Sequence, residues 1–255
     1  MKLIDTHTHI YLPEFDSDRD EAINRALGNG VVKLLLPNID IHSVEPMLSA
    51  VARFPGICLP MAGLHPTSVK EDYLEQLEIL EELWSKHKFI AVGEIGIDLY
   101  WDKTFIKEQM YSLRRQIAFA LAKRVPVVIH SRESFPEVFM ILDEFEGSGL
   151  KGVLHAFTGT LMDAQKAIRM GFMLGIGGIV TFKNSGLDKI VKIVGPENLI
   201  IETDSPYLAP VPNRGKRNES SYVRPINKKV AEILEMGEEE IAAITFANST
   251  RLFNL

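Results

Sequence analysis

The chain has 255 residues, 46% hydrophobic and 24% charged, with 28 Lys and Arg against 34 Asp and Glu for a formal net charge of −6. This composition excludes disordered and fibrous classes, and the length suffices to bury a sizeable core. The acidic balance argues against a protein that coats nucleic acid by bulk electrostatics, although bound cations and a local basic loop still allow phosphate to be held.

The opening Leu3-Ile4-Asp5-Thr6-His7-Thr8-His9 reads as a short apolar strand ending in two histidines one residue apart. Strand side chains alternate, so His7 and His9 share a side and can grip one cation if other ligands join them. Residues 18–27 follow as a helix stopped by Gly28-Asn29-Gly30, then a buried strand over 31–36, a helix over 44–54 stopped by Pro55-Gly56, and a third strand over 57–63. That strand holds Cys58, the single cysteine, which reads as a core thiol in a reducing compartment.

An amphipathic helix over 73–87 leads to a strand over 89–93, a helix over 106–124 to a strand over 125–129, and a helix over 136–146 to a strand over 152–154. A helix over 163–170, a strand over 172–176, a helix over 187–194 and a strand over 199–202 complete the alternation. Gly175-Ile176-Gly177-Gly178 reads as a tight strand exit, and residues 222–255 as helical segments, separated at Met236-Gly237, that pack on the rest.

Eight strand candidates alternating with helices imply parallel strands with crossover helices, and at this length a closed α/β (β/α)8 TIM barrel spanning 1–255 as one domain. An open doubly wound sheet would call for a glycine-rich phosphate turn after an early strand, and none is present. The longest uncharged run, 171–182, falls far short of the roughly 20 apolar residues that cross a membrane. Nothing near the N-terminus resembles a signal peptide, so the expectation is a cytoplasmic protein with no membrane association and no evident obligate protein partner.

Five of the seven histidines, His7, His9, His65, His130 and His155, fall at predicted C-terminal strand ends, where barrel enzymes build their sites. Glu94 and Asp204 fall at two more. A carboxylate can bridge two cations, which makes Glu94 the natural joint of a two-metal site. Paired cations suit hydrolysis, with Asp204 placed to orient a water and accept its proton. Beyond Asp204, the segment Asn213-Arg214-Gly215-Lys216-Arg217-Asn218 carries three cations. It is a solvated surface loop or, set above the metals, a phosphate clamp together with Arg132.

Asp5-Thr6-His7-Thr8-His9, Gly63-Leu64-His65-Pro66, Gly93-Glu94-Ile95-Gly96-Ile97-Asp98, His130-Ser131-Arg132, His155-Ala156-Phe157-Thr158-Gly159, Glu202-Thr203-Asp204-Ser205-Pro206-Tyr207-Leu208 and Arg214-Gly215-Lys216-Arg217-Asn218, in that order, resemble the TatD family of metal-dependent deoxyribonucleases. The resemblance implies an amidohydrolase-like TIM barrel that hydrolyses phosphodiester bonds of DNA, as a 3′-to-5′ exonuclease or at damaged sites. It implies two divalent ions, usually magnesium, with manganese, zinc or nickel also compatible. By the same resemblance His7, His9, Glu94 and Asp204 hold one ion and Glu94, His130 and His155 the other, while His65, Asp98 and Arg132 support the metals or contact phosphate. Single-stranded or damaged DNA, bound locally, is the implied partner. The chain departs from the family pattern at Thr67, Ala156 and Ser220. Fold and metal centre do not settle the bond cleaved. The competing readings are a metal-dependent hydrolase of a carboxylic ester or amide, including D-aminoacyl-tRNA, and a non-catalytic metal-binding barrel.

Overall fold

The apolar runs form eight strands, Leu3–Asp5 (β1), Val31–Pro37 (β2), Cys58–Met61 (β3), Val92–Asp98 (β4), Val127–Arg132 (β5), Gly152–Leu154 (β6), Phe172–Ile176 (β7) and Leu199–Ile201 (β8). Seven helices alternate with them, Arg19–Gly28 (α1), Val44–Arg53 (α2), Tyr73–Leu83 (α3), Ile106–Lys123 (α4), Phe135–Asp143 (α5), Leu161–Arg169 (α6) and Leu187–Val194 (α7), and Val223–Leu234 (α8) and Glu238–Phe253 (α9) end the chain. The structure, a computed structural model, describes residues 1–255.

All strand pairs are parallel, in the orders β1-β2-β3 and β4-β5-β6-β7-β8. Parallel bridges Ala62–Val92 and Thr8–Ser205 close the two seams, and at the second the Asp204 N–H donates to the His7 carbonyl at 2.9 Å. The result is the closed (β/α)8 barrel that the alternation implies. No helix is long and apolar enough to cross a membrane.

Strand alternation divides the core in two. Leu34 and Leu36 join the large cluster under the helices, whereas Leu35 joins Ile4, Met61, Ala91, Val128, Val153 and Ile200 in a smaller one inside the barrel. Leu252 and Phe253, from the end of α9, pack onto that inner cluster. The barrel is therefore filled at its N-terminal mouth and left to its polar residues at the other.

Most elements lie within a few residues of their expected bounds, but two strands do not. β4 runs to Asp98 and β5 to Arg132, well past the expected ends at 93 and 129, so Glu94, Asp98, His130 and Arg132 sit inside strands. Glycine explains why β4 reads poorly as a strand yet is one. A Cβ on Gly93 would lie 2.6 Å from the Val128 Cβ, and one on Gly96, at φ +150°, would lie 2.0 Å from the His130 carbonyl oxygen. These two positions lack side chains because β5 passes so close. α3 ends at Leu83 rather than 87, and a turn carries Ser85–His87.

Candidate metal centre

Glu94 lies at the centre of the barrel mouth, 2% exposed, with its two oxygens turned to different partners. Oε2 is 3.0 Å from His7 Nε2 and 3.6 Å from His9 Nε2, and Asp204 Oδ1 approaches the same two nitrogens at 3.7 and 3.6 Å. Oε1 is 3.2 Å from His65 Nε2, 3.0 Å from His130 Nδ1 and 3.1 Å from His155 Nε2. The strand ends thus bring together all six residues expected to ligate metal, and His65 with them.

Hydrogen bonds on the far side of each ring assign the protons. Tyr11 Oη donates to the Pro37 carbonyl at 2.5 Å, so at 3.0 Å it accepts from His9 Nδ1–H. His155 Nδ1–H donates to Glu202 Oε1 at 3.1 Å, and His130 Nε2–H to Asp98 Oδ2 at 2.9 Å. In the neutral rings each of these three bonds leaves a lone pair on the nitrogen that faces the centre. His65 is the reverse: its Nδ1 accepts the Thr67 backbone N–H at 3.2 Å, so its Nε2 carries a proton toward Glu94. His7 Nδ1 is buried without a partner.

Lone pairs facing carboxylate oxygens at about 3 Å repel unless positive charge lies between them. This donor set fits bound cations: ligand atoms of His7, His9 and Glu94 converge, as do those of His7, His155 and Asp204 and those of Glu94, His130 and His65. The ionisation equilibria show the same demand for positive charge. Burial opposes a charge on Glu94, yet His155, His65 and His7 draw its pKa well below the usual carboxylate value. Burial likewise opposes a charged His155, but Glu94 and Glu202 raise its pKa well above the ordinary imidazole value. For His7 burial prevails and lowers it.

A family model described as TatD related DNase matches residues 4–254. The chain belongs to the TatD family of metal-dependent hydrolases. It is 37% identical to the uncharacterized metal-dependent hydrolase YabD of Bacillus subtilis, over 99% of each chain. It is 30% identical to the 3′-5′ ssDNA/RNA exonuclease TatD of Erwinia tasmaniensis, over 99% of this chain and 100% of that one. The crystal structure of YjjV, a TatD homolog from Escherichia coli, superposes with TM-score 0.93 at 28% identity, covering 99% of this chain and 98% of that one. The phosphotriesterase homology protein of Escherichia coli shares the fold, with TM-score 0.72 at 11% identity, covering 99% and 98%.

In this TatD-family chain the residues expected to contact substrate separate into two groups. His65 and Arg132 line the cleft above Glu94, a space of about 640 Å³. Asp98 lines it too, but its carboxylate is engaged, Oδ2 by His130 and Oδ1 by the backbone N–H groups of Tyr100 and Trp101 at 3.0 and 3.3 Å.

The basic loop does not reach the cleft wall. Arg217 donates to Asp18 Oδ1 and Oδ2 at 2.6 and 2.7 Å and stacks on Phe15, and Arg214 lies over Phe182 with its ring centroid 4.5 Å away. Lys216 is exposed beside them. Arg217, expected in a phosphate clamp, is here engaged by a bidentate pair with Asp18, which occupies donors a phosphate would use. Asn218, fully buried, donates to the carbonyls of Thr203 and Tyr207 at 2.7 and 2.6 Å and so holds the turn that carries Asp204. That turn puts Asp204 at φ +57°, a left-handed conformation that Asp tolerates better than most residues.

Tyr11, Glu202 and Asn218 are the supporting residues that strand-end reading passes over. Glu202 had a usable signal: a carboxylate directly after the apolar run of β8 and two residues before Asp204 is hard to bury without a partner.

Glu202→Gln removes the charge behind His155 and is expected to weaken binding of one ion about tenfold. Calorimetric titration with manganese checks this; two unaltered binding events would contradict it. Arg217→Ala is expected to cost about 1 kcal/mol and to lower Tm by roughly 2–4 °C at neutral pH. The hydrogen bonds of Arg217 and Arg25 hold Asp18 below the ordinary carboxylate range, so this contribution is present above the unfolded carboxyl's pKa and lost as pH falls through the folded one. Thermal melts at neutral and acid pH should show the difference between variant and wild type shrinking.

Proposed function

We propose that this protein hydrolyses phosphodiester bonds of nucleic acid through a two-metal centre, with single-stranded DNA as the substrate to try first. Carrying this reading is Arg132, exposed at the cleft wall two residues after His130, its guanidinium stacked on Tyr100 at 3.8 Å and without a carboxylate partner. A cation held in place beside a hydrolytic centre recognises a phosphate that simple carboxylic esters and amides lack. The name of the Erwinia tasmaniensis relative supports the same substrate class.

His7, His9, Glu94 and Asp204 would hold one ion and Glu94, His130 and His155 the other. Such ions, when bound, acidify a water and stabilise charge on the phosphoryl oxygens. Imidazole-rich ligand sets suit manganese, zinc or nickel better than magnesium, which prefers oxygen.

The remaining work falls to side chains. Burial opposes the charge of Asp204, but the proximity of His9 together with His155 and His7 lowers its pKa below the usual value, so it is ionised at neutral pH and can accept the proton of an attacking water. His65, held as an Nε2–H donor by Thr67, gives that proton to Glu94 Oε1 at 3.2 Å and so fixes the orientation of the carboxylate. Arg132 fixes the phosphate against the wall.

Metal-stripped protein, given magnesium, manganese or zinc in turn, is expected to release nucleotides from 5′-labelled single-stranded DNA with at least one ion. Glu94→Ala, lacking the joint of both sites, should lose more than about a thousandfold in rate. Absence of cleavage with every ion, from protein that binds two, would overturn the reading and leave carboxylic esters and amides, aminoacyl-tRNA included, as the substrates to assay.

A further inference from the structure

Trp101 and Tyr207 are large aromatic residues on the cleft wall, 69% and 48% exposed, and neither has a part in the metal centre. They leave from opposite sides of the barrel. Trp101 follows β4, the strand of Glu94, and Tyr207 follows β8, beside Asp204; in a ring of eight, strands four apart face each other. The two rings therefore flank the centre from opposed rims.

Each is held from beneath. Asp98 Oδ1 accepts the N–H groups of Tyr100 and Trp101, while its other oxygen receives His130, so one carboxylate ties the Trp101 turn to the metal centre. Tyr100 packs edge-on to Trp101 at 4.9 Å, and Arg132 lies over both rings, 3.8 Å from one centroid and 5.3 Å from the other. Across the cleft, the Tyr207 carbonyl accepts from Asn218, and its ring lies edge-on to His9 at 6.3 Å.

Exposed aromatic faces cost hydration and usually find partners in a core. Faces held rigid on both sides of a phosphate-binding point match one ligand chemistry well: unpaired bases, whose π-faces stack on aromatics without regard to sequence. We infer that Trp101 and Tyr207 form a two-sided clamp that stacks the bases flanking the scissile phosphate of a single strand. This rests on the nucleic-acid reading above and adds to it the residues that select single strands. A duplex buries those base faces in its own stack, so stacking on the clamp requires nucleotides that are already unpaired or flipped out. Since the clamp touches faces rather than edges, sequence preference is weak.

The test compares binding of two short 5′-labelled phosphorothioate strands by manganese-loaded protein, one oligo(dT) and one of the same length with abasic sugars, using fluorescence anisotropy. Wild type should prefer the base-bearing strand by tenfold or more, and Trp101→Ala and Tyr207→Ala should each reduce that preference about tenfold. Trp101→Phe, which keeps an aromatic face, should retain most of it, an outcome that mere disturbance of the loop would not give. Equal binding of the two strands by wild type, or a preference untouched in both alanine variants, would overturn the clamp, and a loss confined to Trp101→Ala would overturn its two-sided form. Base-dependent binding without DNA cleavage would keep the clamp and remove the nuclease reading. Equal cleavage of abasic and base-bearing phosphodiester strands would do the opposite.

Discussion

One buried carboxylate between five imidazoles is the constraint on which the rest of this structure depends. Glu94 is too deep to be ionised on its own, and its oxygens face His7 and His9 on one side and His65, His130 and His155 on the other. An arrangement so short of positive charge survives only if the surroundings hold each group in place. The barrel does this by supplying the ligands from five strands, His7 and His9 together after β1 and the others singly, with the opposite mouth filled by Leu252 and Phe253 so that the strands cannot shift against one another.

The supporting layer is as specific as the ligands. Tyr11, Asp98 and Glu202 each take the outer N–H of one ring and so turn its inner nitrogen into an electron-pair donor, whereas Thr67 donates to His65 and gives that ring the opposite role. Four chemically identical side chains thereby acquire different tasks through the hydrogen bonds behind them, while the outer nitrogen of His7 has no partner. Asp5 performs a related service at the seam, accepting from the Thr203 N–H at 2.9 Å and hydroxyl at 2.6 Å, which joins the strand of His7 and His9 to the turn of Asp204. Burial raises its pKa to about 7 despite those bonds.

Much of this was legible in the sequence because periodicity and strand-end position are local signals. The alternation of eight apolar runs with amphipathic segments gave the barrel, and β6, β7 and α7 fall where the pattern puts them. The histidines stood out because polar residues directly after buried runs have few structural uses. β4 was harder, since Gly93 and Gly96 answer to the close approach of β5, a contact between distant segments that periodicity cannot show. The basic loop left two readings open for a like reason: in sequence Arg217 is a free cation near a phosphate site, and only the fold brings Asp18 and Phe15 against it. Proton positions on the rings depend on Tyr11, Asp98 and Glu202, whose partners are likewise remote in the chain except for Tyr11.

Anomalous diffraction from crystals grown with manganese would show whether Glu94 joins two cation sites. Two manganese peaks roughly 3.5–4 Å apart are expected, one beside each Glu94 oxygen, with His7, His9 and Asp204 around the first and His130 and His155 around the second. A single peak, or peaks that Glu94 does not touch, would contradict this arrangement.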